Sequence, residues 1–111
     1  MKIHVGFNPN LHQVWVGSKP SDLSHKFGRE YVALQQHAPT ELENFLKVNA
    51  DMADYFCKGF AYWVICRAFG VEERQGQYGL LKRRLKQFNK KLFRAVRSLA
   101  DRVAREIKKR F

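Results

Sequence analysis

Between residues 81 and 107 the apolar side chains recur at Leu81, Leu85, Phe88, Leu92, Val96, Leu99, Val103 and Ile107. At about 100° per residue they share an arc of about 100°, which is one face of an α-helix. The pattern repeats every eleven residues (81, 92, 103 and 85, 96, 107), or about 3.67 residues per turn, which disfavours a sustained left-handed coiled coil. A strict heptad would place Arg102 and Glu106 in the seam. Residues 80–111 therefore read as one long basic amphipathic helix, nearly straight and roughly 48 Å in length. Such a rod is longer than a 111-residue body is wide, so one end is expected to project or to meet a partner.

The same segment carries the charge. It holds thirteen Lys or Arg against two acids, Asp101 and Glu106, a net charge of +11 that equals the value for the whole chain. Residues 1–79 carry eight basic and eight acidic side chains and sum to zero. Segregation of this kind points to a polyanionic or acidic partner: nucleic acid, an anionic membrane surface or an acidic protein. With 45% hydrophobic residues and nine Phe, the chain is too apolar to be disordered, and 111 residues suit one domain with a real core. Most of the aromatics precede residue 70, so the neutral part is expected to supply most of that core.

The predicted fold class is α+β, mostly α, with an N-terminal β-hairpin packed on helices. Ile3, Val5 and Phe7 alternate with Lys2, His4 and Gly6, and residues 12–17 alternate as well. Asn8-Pro9-Asn10-Leu11 between them is a strong turn signal, so residues 1–17 form the hairpin. A lone hairpin is marginal in water, so it must pack on helices or pair with another sheet edge. Residues 21–37 form a short helix, with Ser21 as N-cap and Leu23, Phe27, Tyr31 and Leu34 as its stripe. Gly28 weakens its first half, and Arg29 to Gln36 is the firmer part.

Residues 40–69 form the central core helix, opened by a capping box with Thr40 as N-cap and Glu43 three residues on. Asn49 or Asp51 marks a place for a break. From residue 55 to residue 69 apolar side chains surround the axis, as in a helix buried on most sides. Gly70 follows as its C′ residue, and residues 71–79 form a loop.

No constellation for catalysis is visible. His4, His12, His25 and His37 lack ligand-like spacing to one another or to Cys and carboxylates, although His4 and His12 could face each other across the hairpin. Asp51 and Asp54 are three apart but have no third ligand in view. Gly76-Gln77-Tyr78-Gly79 lacks the Lys-Ser/Thr of a phosphate loop. Cys57 and Cys66 are nine apart, on opposite sides of a helix, and read as reduced apolar residues. These features argue for a protein that is not an enzyme, needs no cofactor or metal and resides in the cytoplasm. Residues 1–5 do not read as a secretory signal, and the run from 55 to 69 is too short and too charged to span a bilayer.

The binding candidates are Arg83, Lys86, Lys90, Lys91, Arg94, Arg97, Arg105 and Lys108, between about 140° and 280° from Leu81 and opposite the apolar stripe. Arg84, Arg102 and Lys109 flank them. Like charges at i, i+3 and i+4, such as Lys86 and Lys90, repel in the free protein, and an anionic partner relieves this. Gln87, Asn89 and Ser98 form no base-reading group. The expected partner is thus DNA or RNA, held by its backbone with weak sequence preference. Trp15 and Tyr78 are aromatics that could stack on bases, although Trp15 reads first as a packed side chain. Two other readings stay open: an adaptor, inhibitor or subunit docking on an acidic or nucleic-acid-binding protein, as a homo-oligomer or in a larger complex; and a membrane-surface helix, which requires a free apolar face.

Overall fold

The computed structural model describes residues 1–21, 32–72 and 76–110. The N-terminal alternation forms strands β1 (Lys2–Asn8) and β2 (Gln13–Gly17), antiparallel, with Phe7 opposite Val14 and Val5 opposite Val16. Directly opposed side chains share a face. Ile3, Val5, Phe7, Val14 and Val16 therefore make one apolar surface, and Trp15, opposite Gly6, lies on the other. In the turn, the Asn8 side-chain oxygen accepts from the backbone N–H of Asn10 at 3.0 Å and of Leu11 at 3.4 Å, which is how Asn stabilises a reversal.

The second half of the predicted 21–37 helix is a strand. Val32–His37 forms β3, antiparallel to β1 with Leu34 opposite Val5, giving a sheet of order β2-β1-β3. A two-stranded hairpin leaves one edge of β1 unpaired, and a third strand satisfies that row of backbone groups. This ladder outweighs a four-member helical stripe interrupted by glycine. Leu34 still reaches the core. Leu23, Phe27, Gly28, Arg29 and Tyr31 lie outside the described residues.

The predicted central helix is two helices, α1 (Thr40–Val48) and α2 (Ala53–Phe69), joined through a 3-10 turn at Ala50–Met52. The break falls at Asn49, one of the two places expected. Its side-chain amide and its backbone N–H both donate to the Phe45 carbonyl, at 3.1 and 2.8 Å. This is the local competition with the helix ladder that Asn offers. The capping box does not form. Thr40 is the first helical residue, preceded by Pro39, and no side chain caps the helix. The Glu43 carboxylate pairs instead with the Met1 ammonium, a charged partner that outcompetes a neutral N–H.

Helix α2 buries Phe56, Phe60, Ala61, Trp63, Val64, Cys66 and Ala68 and packs against β2 on one side. It ends at Gly70, whose φ of 67° is the left-handed cap expected there. Cys57 is half-buried, Cys66 is buried, and both are free thiols.

The largest correction concerns residues 80–111. They do not form one rod. Helix α3 (Gln77–Phe88) and helix α4 (Lys90–Lys108) meet at Asn89, which is fully extended (φ −169°, ψ 157°). The Asn89 side-chain oxygen accepts from the Leu92 N–H at 2.5 Å and caps α4. Helix α3 also begins inside the stretch expected to be loop, after Gly76 at φ 136°, a conformation open to glycine alone. A straight rod cannot keep its whole stripe on a short core. Two helices of roughly 18 and 28 Å both pack on α2 and on each other, in a body of 37 × 29 × 22 Å. Leu81, Leu85, Leu92, Val96, Leu99, Val103 and Ile107 are 0–1% exposed. Phe88, beside the break, is the exception at 42%.

Two substitutions test this account. Asn89→Ala removes the α4 cap and is expected to cost about 1 kcal/mol, lowering the melting temperature by roughly 4 °C. Leu92→Asp buries an unpartnered charge at a fully covered position. It is expected to cost about 3–5 kcal/mol or more, seen as a collapse of the denaturant midpoint. An unchanged midpoint for Leu92→Asp would mean that this face is not buried internally.

Candidate nucleic-acid interface

Helix α4 sorts its side chains cleanly. With Leu92 at 0°, the buried Leu92, Val96, Leu99, Ala100, Val103, Ala104 and Ile107 span about −20° to 120°. Lys90, Arg94, Arg97, Arg105 and Lys108 fall between about 140° and 220° and are all exposed. These five predicted residues form one row along the helix.

The break at Asn89 rearranges the other three. Arg83 is exposed on α3, separate from the row. Lys86, also on α3, places its ammonium 4.8 Å from the centre of the Phe93 ring, and the Arg97 guanidinium carbon lies 5.8 Å from the same centre. Cations at this range are attracted to the ring face. On a straight helix Lys86 and Arg97 would be eleven residues apart in one line; here they converge on one aromatic. That ring also stacks with buried Trp63 of α2 at 5.8 Å. Lys91 turns away from the row, and its ammonium meets the Glu41 carboxylate of α1 at 3.2 Å.

The sequence reading counted Asp101 without placing it in the row, and it missed Arg67. Asp101 sits within the row at about 180°, and its carboxylate pairs with Arg67 of α2, Nε to Oδ1 3.5 Å. The row's one acid is thereby offset by a base from another helix. Arg67 had no local signal beyond being a charge in an apolar run. Glu106, the other acid of the segment, pairs with Lys109 at 3.2 Å. Of the stacking candidates, Trp15 is half-buried on the sheet face opposite Val14 and Val16, and the Tyr78 side chain lies outside the described residues.

The remaining polar candidates are dispersed. His4 pairs in register with Gly17 rather than with His12, and the His12 ring stacks on Phe69 at 4.7 Å. His37 lies on β3, and His25 lies outside the described residues. Among the described residues, no group of three or more His, Cys, Asp and Glu gathers in a way that could hold a metal. No helix among them is long and apolar enough to cross a membrane.

No protein-family model matches the chain, no curated protein matches it and no solved structure matches it. The geometry of the basic surface therefore carries the functional argument.

The Glu41 carboxyl is held below the usual carboxylate range, first by a hydrogen bond from its own backbone N–H at the α1 N-terminus and then by Lys91. A depressed carboxyl stabilises the fold above the ordinary carboxylate range and loses that contribution as pH falls through its folded value. NMR titration is expected to find Glu41 titrating low, and Lys91→Ala is expected to return it only part-way. Because the pair is exposed, its loss is expected to leave global stability nearly unchanged.

Proposed function

We propose that this protein is a non-enzymatic nucleic-acid-binding protein that grips the phosphate backbone, with weak sequence preference, through the basic surface of α3 and α4. One observation carries this reading: the segment that holds the entire net charge of +11 is folded as two packed helices. Most of its apolar side is buried, and five of its bases stand in a row on the opposite side of α4. An array at helical spacing suits phosphates, which ask for charge and position rather than base-specific groups. The acids of α4 support it too, since Asp101 and Glu106 are both engaged by bases within the protein.

The membrane reading is weakened by energetics. Leu92, Val96, Leu99, Val103 and Ile107 are each worth about 1.5–3 kcal/mol buried, together comparable to the whole net stability of a domain at about 5–15 kcal/mol. Lifting α4 off to expose them would uncover the α2 side of the same core. An acidic protein partner calls on the same surface, and a stoichiometric acidic partner recovered without nucleic acid would favour it.

The test is a titration of labelled oligonucleotides at several salt concentrations. With six to eight phosphates engaged, log K is expected to fall against log salt with a slope of about −5 to −7 on B-form DNA. Reversing Lys90, Arg94 and Arg97 to Glu is expected to weaken binding by about 100-fold or more at low salt. These residues are exposed, so the melting curve is expected to stay close to that of the unmodified protein. No micromolar binding at low salt would sink the proposal.

A further inference from the structure

The polyanion reading leaves open which form of nucleic acid the row accepts, and the neighbouring side chains bear on that. Lys90 to Lys108 spans roughly 27 Å of straight helix, with the row confined to an arc of about 80°. The backbone positions that carry the charges thus lie along a line. A duplex of that length presents about 16 phosphates on a stiff frame. A single strand is held differently, by successive bases stacked on open aromatic rings beside a basic groove.

Among the described residues, the aromatic rings near the row do not offer such a platform. Phe93 is half-buried, is stacked with Trp63 and has Lys86 and Arg97 over it. Phe88 is exposed, but its ring meets Phe45 of α1 edge-on at 5.1 Å. Tyr55 is exposed at the start of α2, where Asp51 and Asp54 carry negative charge. Trp15 lies on the sheet face opposite Val14 and Val16.

We infer that the ligand of the basic row is a nucleic-acid duplex, contacted along its phosphates by the line of Lys90, Arg94, Arg97, Arg105 and Lys108, with no base stacked on the aromatic rings described beside it. This rests on the nucleic-acid reading above. Asp101, inside that line, then sets a ceiling on affinity that Arg67 only partly lifts, since an exposed ion pair is loose and screened.

The experiment is fluorescence anisotropy with the full chain and four probes: a DNA duplex, an RNA duplex and the single strand of each, about 16 nucleotides long, roughly twice the 8 base pairs that the row spans. At least one duplex is expected to bind about tenfold tighter than either strand at the same salt, and the tighter duplex names the sugar. Asp101→Asn is expected to tighten duplex binding about threefold, while Asp54→Asn, in the first turn of α2, leaves it unchanged. Phe88→Ala is expected to leave duplex binding unchanged, with a melting curve to verify folding. Single strands binding as tightly as duplexes would overturn the duplex inference and leave the nucleic-acid reading intact. So would equal gains from the two Asp substitutions, which would mean that net charge rather than the row governs affinity. Failure of all four probes to bind would overturn the nucleic-acid reading itself.

Discussion

The contact on which this molecule depends is that between α2 and the apolar stripe of α3 and α4. Helix α2 is apolar around most of its circumference, so it cannot sit at a surface and must be covered from several sides. The sheet covers one side through β2, and α3 and α4 cover another. Neither layer closes without α2 between them. The positions of the strands and the direction in which the charged surface faces both follow from satisfying this one helix.

Covering α2 with a single straight rod would leave much of the rod's stripe in water, because the rod outreaches the body. The chain resolves this at Asn89. One extended residue ends α3, and its side chain caps α4, so the reversal is made with the new helix's N-terminus partly satisfied. The stripe stays buried on both sides of the break except at Phe88. The same reversal brings Lys86 to the ring that Arg97 also covers. A packing solution thus reshapes the electrostatic surface.

The arrangement of charge is consistent across the molecule. The neutral body supplies acids where the basic segment touches it, as at Glu41 with Lys91, and a base where the segment carries an acid, as at Arg67 with Asp101. These exposed pairs contribute little to stability, but they determine which bases stay turned outward. What is left is a line of cations with few internal partners, whose mutual repulsion an anionic ligand would relieve.

Spacing and residue type alone determined that most of residues 81–107 are helical with a buried side, that the hairpin alternates about its turn and that Gly70 ends the core helix. Those are local consequences of side-chain spacing and of glycine's access to left-handed backbone. Spacing also determined that Lys90, Arg94, Arg97, Arg105 and Lys108 share a face, since angle along one helix is arithmetic. Tertiary structure decided what depends on partners distant in sequence. Residues 32–37 are a strand because β1 had an edge to satisfy, which no property of those six residues declares. Glu43 left its capping role for Met1, and Lys91 left the row for Glu41, because charges far apart in the chain became neighbours. The break at Asn89 was decided by the length of the core. A repeat that runs evenly through Phe88, Leu92 and Val96 carries no sign of how much surface lies beneath it.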